Sequence, residues 1–168
     1  MPVKNRKRQA VIAAFLISAI LVLDQYSKAL ISSSLTTGQS IPIINNILHL
    51  TFIRNTGAAF GLFKNSTTFF IIISMVAVVF IAILILSFIK KGELFHRSLV
   101  NLGLILIFPG ALGNLIDRLR FGYVIDFIDV RVWPVFNIAD TSITIGTILL
   151  FTSLVAGNLT HNKSCGIL

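Results

Sequence analysis

The chain has 168 residues, 55% of them hydrophobic and only 12% charged, with a mean hydropathy of +0.92. A soluble globular domain carries roughly a quarter charged residues and a disordered chain is less apolar still, so both classes are excluded. The 14 Lys and Arg against six acids give a net charge of +8, which in so apolar a chain speaks for membrane orientation rather than nucleic acid.

The first predicted span runs over about 10–31, behind Lys4, Arg6, Lys7 and Arg8, and is interrupted by Asp24 and Lys28. Its basic start and AVIAAFLISAILVL run resemble a secretory signal, but an aspartate follows directly and no small-x-small site is convincing, so a retained helix is expected. Segment 41–54, IPIINNILHLTFIR, reads as a short hairpin turning at Asn45-Asn46. Residues 69–89 are 21 residues without a charge, roughly 31 Å of helix at about 1.5 Å each, which matches a hydrocarbon core. A basic connection with Lys90, Lys91 and Arg97 leads to a third span over about 98–116, which Pro109-Gly110 is expected to kink. Segment 130–136, VRVWPVF, is β-branched and aromatic and could add a strand, and a fourth span covers about 138–157.

These elements predict a single domain, 1–168, of the all-α membrane class: four spans with both termini cytoplasmic, and a small β-platform on the outer surface. Lys163 fits a cytoplasmic C-terminus, whereas Arg54, Lys64, Arg118, Arg120 and Arg131 fall in outer connections against the general bias. Trp133 and Tyr123 suit the interface there. One cysteine, Cys165, excludes a disulfide framework and a cysteine zinc cluster and reads as inert. The scattered His49, His96 and His161 lack metal-ligand spacing, so no metal is expected.

Polar groups in an apolar chain are costly and therefore informative. Of the six acids only Glu93 falls in the basic loop, where it reads as solvated; Asp24, Asp117, Asp126, Asp129 and Asp140 all map to the outer end of the bundle. Bland readings exist for several. Asp24 and Lys28, four apart on a helix, read either as neutralising each other or as orienting substrate. Asp117-Arg118 reads as an anchor at a helix end, and Asp140 as a cap of the fourth helix. Asp126, flanked by Val124, Ile125, Phe127 and Ile128, is harder to dismiss, because an apolar setting raises a carboxyl pKa. If Asp126 and Asp140 converge they form a hydrolytic pair sharing one proton, one member activating water and the other polarising a scissile carbonyl. No G-x-S-x-G, P-loop or H-E-x-x-H is present, Ser27 points away from Lys28 on a helix, and Gly57-Ala58-Ala59-Phe60-Gly61 is a weak small-xxx-small match outside the apolar runs. The competing class, a small four-helix proton or ion transporter, expects acids spread through the membrane depth; a non-catalytic assembly factor expects Asp126 and Asp140 to be dispensable.

The motifs Asp24-Gln25-Tyr26-Ser27-Lys28, Asn55-Thr56-Gly57-Ala58-Ala59-Phe60, Gly113-Asn114-Leu115-Ile116-Asp117-Arg118, Val124-Ile125-Asp126-Phe127 and Phe136-Asn137-Ile138-Ala139-Asp140-Thr141-Ser142 together resemble the lipoprotein signal peptidase family, also called signal peptidase II. The resemblance spans nearly the whole chain; the one departure is Val-Ile-Asp where many members have Val-Val-Asp. It implies a bacterial inner-membrane aspartyl endopeptidase that removes the signal peptide from diacylglyceryl prolipoproteins before the lipidated cysteine. Asp126 and Asp140 would be the catalytic pair. Asn55, Gly57, Asn114, Arg118 and Asn137 would line the site, Asp24 and Lys28 would support it, and segment 54–62 would be a flap. It further implies a monomer among membrane lipids, no cofactor, no nucleic-acid partner, and inhibition by globomycin-type cyclic peptides.

Overall fold

Without water at hand, an apolar run satisfies its backbone N–H and C=O groups by coiling into a helix. The computed structural model describes residues 3–57, 66–94 and 98–164, and four such helices dominate them. In chain order the elements are α1 (Val3–Ser34), β1 (Ser40–Ile44), β2 (Leu48–Asn55), α2 (Thr67–Lys91), α3 (Ser98–Phe121), β3 (Val124–Asp129) and α4 (Ile138–Ser164). Each helix is long and apolar enough to cross a membrane. Their large apolar side chains face outward, with Phe15 71%, Val76 64% and Phe151 67% exposed. Water would not tolerate that surface, but lipid tails would. The expected residues 58–62 of the flap, together with Lys64, His96, Arg97 and Cys165, lie outside the described residues.

Helix α3 is the centre of the bundle and packs against α1, α2 and α4, most closely against α4. The α3–α4 approach is set by glycine. A Cβ at Gly103 would lie 2.7 Å from the Gly146 carbonyl oxygen, one at Gly146 would lie 2.7 Å from that of Gly103, and one at Gly110 would lie 2.5 Å from that of Ala139. Backbone therefore meets backbone with no room for a methyl group. Pro109 lies inside α3, which continues through it. One residue on from the Ile105 carbonyl that the proline leaves without its usual donor, the Ser142 hydroxyl of α4 donates to Leu106 O at 2.6 Å. Helix α2 stops at Gly92, whose left-handed φ of 74° lets the Gly92 and Glu93 N–H groups reach back to the carbonyls of Ile89 and Phe88.

The hairpin forms where it is expected, with Asn46 at φ 62° in the turn. The sheet has the antiparallel order β1-β2-β3. Its third strand is Val124–Asp129, not the expected 130–136. Arg131 adopts φ 66°, which breaks an extended run, and Pro134 has no N–H for a ladder. Segment 130–136 is instead a loop that rejoins the sheet through the Ile128–Phe136 bridge. One face of the sheet, with Phe52, Ile125 and Phe127, packs on Ile31 and Leu35 at the end of α1. A second correction concerns α3, which runs on to Phe121, so that Asp117 and Arg118 lie within it rather than at its end.

Gly103→Val and Gly146→Val should each destabilise the protein by roughly 1–3 kcal/mol, because overpacking must push α3 from α4. Thermal unfolding in detergent checks this; Val76→Ala, on the outward face of α2, should leave the midpoint nearly unchanged.

Candidate active site

Three helices and the sheet deliver polar side chains to one end of the bundle, and Lys28 is where they meet. Its Nζ donates to Asp24 Oδ2, Asp117 Oδ2 and Asn114 Oδ1, each at 2.9 Å. Three ammonium hydrogens thus meet three acceptors, and Lys28, Asp24 and Asp117 are at most 1% exposed. Gln25 Nε2 closes the cage by donating to Asp117 Oδ1 at 3.0 Å and Asp24 Oδ2 at 3.2 Å. Gly113 allows the approach, since a Cβ there would lie 2.6 Å from Asp24 Oδ2. The expected Asp24–Lys28 neutralisation is present, but it includes Asp117. The anchoring reading of Asp117 fails, because its carboxylate faces inward to Lys28 and accepts the Ile125 N–H at 3.2 Å.

The cage orients the next layer. Lys28 has only hydrogens to offer, so it holds the Asn114 amide with oxygen inward and Nδ2 outward, where Nδ2 donates to Asp140 Oδ1 at 2.8 Å. Asn137 caps α4: its Oδ1 accepts the Asp140 N–H at 2.8 Å, while Asp140 Oδ2 accepts the Asn137 N–H at 3.2 Å. This is a reciprocal capping box built from Asn and Asp. The Asp24 Oδ1 of α1 takes the next free donor, the Ala139 N–H, at 2.9 Å. Asn137 Nδ2 then donates to Asp126 Oδ1 at 2.7 Å, and Asn55 Nδ2 donates to Asp126 Oδ2 at 2.9 Å. Asp126 and Asp140 are therefore held by one asparagine. The capping reading of Asp140 holds, and the same carboxylate faces Asn114 and the cavity beside it.

A cavity of about 280 Å³ opens on these two carboxylates. Of the sequence-predicted residues, Asn55, Gly57, Asn114, Arg118, Asp126 and Asp140 line it, whereas Asp24, Lys28 and Asn137 stand behind. Arg118 reaches across to the Gly57 carbonyl at 3.2 Å and lies over the Phe70 ring, and its Nε is buried without a hydrogen-bond partner among the described residues. Burial pushes the Asp126 carboxyl up to about 7, and the Asp140 charge adds to the rise against the Asn55 and Asn137 amides and Lys28. Asp129, the remaining outer acid, is apart from the cavity and bonded to Thr51 and Arg131. Sequence reasoning missed Gln25 as a member of the cage, although an amide in an apolar helix beside Asp24 was a readable signal. It also missed Trp133, Pro134, Val135 and Phe136 as cavity wall, because the segment was read as a strand.

The family model for signal peptidase (SPase) II matches residues 16–156. The chain belongs to the signal peptidase II family. It is 48% identical over 143 residues to the lipoprotein signal peptidase of Moorella thermoacetica, covering 84% of this chain and 92% of that protein. The lipoprotein signal peptidase of Clostridioides difficile is 46% identical over 137 residues, covering 80% and 88%. A solved bacterial membrane enzyme, determined by the in meso method at 2.3 Å resolution, superposes with a TM-score of 0.77 at 36% identity over 88% of this chain and 89% of that one. The cavity thus belongs to a multi-pass membrane peptidase of this family.

Lys28→Met should cost roughly 3–5 kcal/mol, because it strands two buried carboxylates without a cation. Adding Asp24→Asn and Asp117→Asn should return much of the loss. Unfolding midpoints of the single and triple variants in one detergent check the pair of expectations.

Proposed function

We propose that this signal peptidase II is an aspartic endopeptidase that removes the signal peptide from diacylglyceryl-modified prolipoproteins, cutting before the lipidated cysteine. The observation that carries the reading is the shared suspension of Asp126 and Asp140 from Asn137 at the floor of one cavity. Two carboxyls placed so, in a desolvated setting, retain one proton between them near neutral pH. The ionised member draws a proton from water, and the resulting hydroxide attacks the scissile carbonyl carbon. The protonated member donates a hydrogen bond to the carbonyl oxygen as it gains charge, and a proton then passes to the leaving amine.

The surrounding residues take supporting roles in this reading. Asn55, Asn114 and Asn137 fix the rotamers of the pair, Lys28, itself held by Asp24, fixes Asn114, and Arg118 and Gly57, which line the cavity, receive the peptide. A diacylated substrate stays in the outer leaflet of the bacterial inner membrane, and the basic Lys7, Arg8, Lys90 and Lys91 at the far end of the bundle support an N-in, C-in orientation with the cavity outward. Globomycin-type cyclic peptides would compete for the same cavity. The transporter alternative expects acids dispersed along the bundle, but Asp24, Asp117, Asp126 and Asp140 belong to one bonded cluster.

Asp126→Asn and Asp140→Asn should each lower the cleavage rate of a diacylglyceryl prolipoprotein by about 10³-fold or more. Mass spectrometry of the products should place the cut before the modified cysteine, and unlipidated substrate should remain whole. The wild-type rate should also fall as pH rises through about 7, by about tenfold per unit on the alkaline limb, because there the pair loses the proton it shares. A rate still rising above about pH 8 would remove the shared proton from the mechanism.

A further inference from the structure

A second polar cluster lies in the sheet and takes no part in the scheme above. Arg131 Nε donates to His49 Nδ1 at 3.0 Å, and Arg131 Nη1 lies 3.5 Å from Asp129 Oδ2. Asp129 Oδ1 accepts the Arg131 N–H at 2.9 Å, and its Oδ2 accepts the Thr51 hydroxyl at 2.8 Å. Thr51 in turn shares a 2.8 Å hydrogen bond with Ser40, so the cluster links all three strands. His49 and Asp129 are register partners and both are buried. Burial opposes ionisation of Asp129, but the Thr51 hydroxyl and the Arg131 N–H and guanidinium hold its carboxyl below the usual range.

Arg131 sits in the left-handed region at φ 66°, which an arginine adopts only where its surroundings compensate. It is also the first turn of the loop whose residues 133–136 wall the cavity. The far end of that loop is secured by backbone alone: Phe136 N–H donates to Ile128 O, and Phe136 O accepts from Phe127 and Ile128. At the near end the Val132 N–H donates to Val130 O, and Arg131 ties the loop to the sheet through its backbone N–H to Asp129 and its guanidinium to His49 and Asp129. Releasing Arg131 would therefore loosen the wall at 132–135 and leave Asn137 and Asp140, beyond the secured end, in place.

We propose that Arg131, clamped by His49 and Asp129, is a positioning residue that holds loop 130–136 as the peptide-facing wall of the cavity, with His49 acting through its acceptor nitrogen. The proposal rests on the peptidase reading. A guanidinium can only donate, so His49 must present an unprotonated Nδ1 to it. Glutamine can supply that acceptor through its side-chain carbonyl; leucine cannot. Asparagine at 131 tolerates the left-handed backbone while removing the guanidinium.

Steady-state cleavage of a diacylglyceryl prolipoprotein by the full chain in lipid nanodiscs tests it, with wild type, His49→Gln, His49→Leu, Arg131→Asn and Asp126→Asn side by side. His49→Leu and Arg131→Asn should raise KM about three- to tenfold with kcat within about twofold, and His49→Gln should stay near wild type in both. An unchanged KM in His49→Leu and Arg131→Asn overturns the clamp, as does a kcat that falls together with the unfolding midpoint while KM stays fixed. A KM as high in His49→Gln as in His49→Leu removes His49 from it. Wild type without activity, or Asp126→Asn with full activity, instead refutes the peptidase reading, and the clamp's role falls with it.

Discussion

The fold turns on one buried ammonium. Lys28 brings a positive charge into a helix bundle, where a lone ion is costly by many kcal/mol, and it is tolerated only because Asp24, Asp117 and Asn114 each give it an acceptor at 2.9 Å. Those acceptors come from α1 and α3, so neutralising the charge also brings the two helices into register. Lipid offers no hydrophobic drive for helices to associate, which leaves such polar contacts and close backbone packing to do it. The α3–α4 pair relies on the second device, through Gly103, Gly110 and Gly146. The α1–α3 pair relies on the first.

From Lys28 the constraint passes outward as orientation. An amide has two ends of similar shape, and without a neighbour of fixed polarity Asn114 could face either way. Lys28 decides the matter, so that the Asn114 Nδ2 faces Asp140. Asp24, whose Oδ2 is used by Lys28, keeps Oδ1 for the Ala139 N–H and so ties the start of α4 to α1. The start of a helix has free N–H groups in any case. Here their partners are Asp24, Asn137 and Asp140, the same side chains that shape the cavity, so the cap of α4 and the proposed reaction centre cannot be altered separately.

Much of this was legible in the sequence because lipid makes polarity expensive. The 21 uncharged residues of 69–89 left no alternative to a span, and the Asn45-Asn46 turn between β-branched runs announced the hairpin. Asp24 with Lys28 was readable from a spacing of four. The third strand was not, because Val124–Asp129 and 130–136 are both β-branched, and only the left-handed Arg131 separates strand from loop. The end of α3 was misplaced for a related reason. Hydropathy stops at Asp117, but the helix does not, since Lys28 from another helix neutralises that charge. Pairing across distant segments is invisible to a windowed reading. The five quoted motifs did indicate the family, which agrees with the match over 16–156.

Asn137 shows how little freedom the arrangement leaves. Its Nδ2 has two hydrogens and three acceptors in reach: Asp126 Oδ1 at 2.7 Å, with Asn114 Oδ1 and Ile125 O both at 3.2 Å. The shortest contact claims one hydrogen and the other two share the second. Its Oδ1 is taken by the Asp140 N–H, so the amide cannot flip without placing a carbonyl against a carboxylate and an N–H2 against an N–H. The Asn137 side chain is thus fixed by the Asp126 carboxyl and the Asp140 backbone, by the sheet through Ile125, and by Lys28 through Asn114. A dyad in the proposed role must hold its geometry while a proton moves between states. Rigidity of this kind supplies that, because the charge can change without any of the supporting groups having a second place to go.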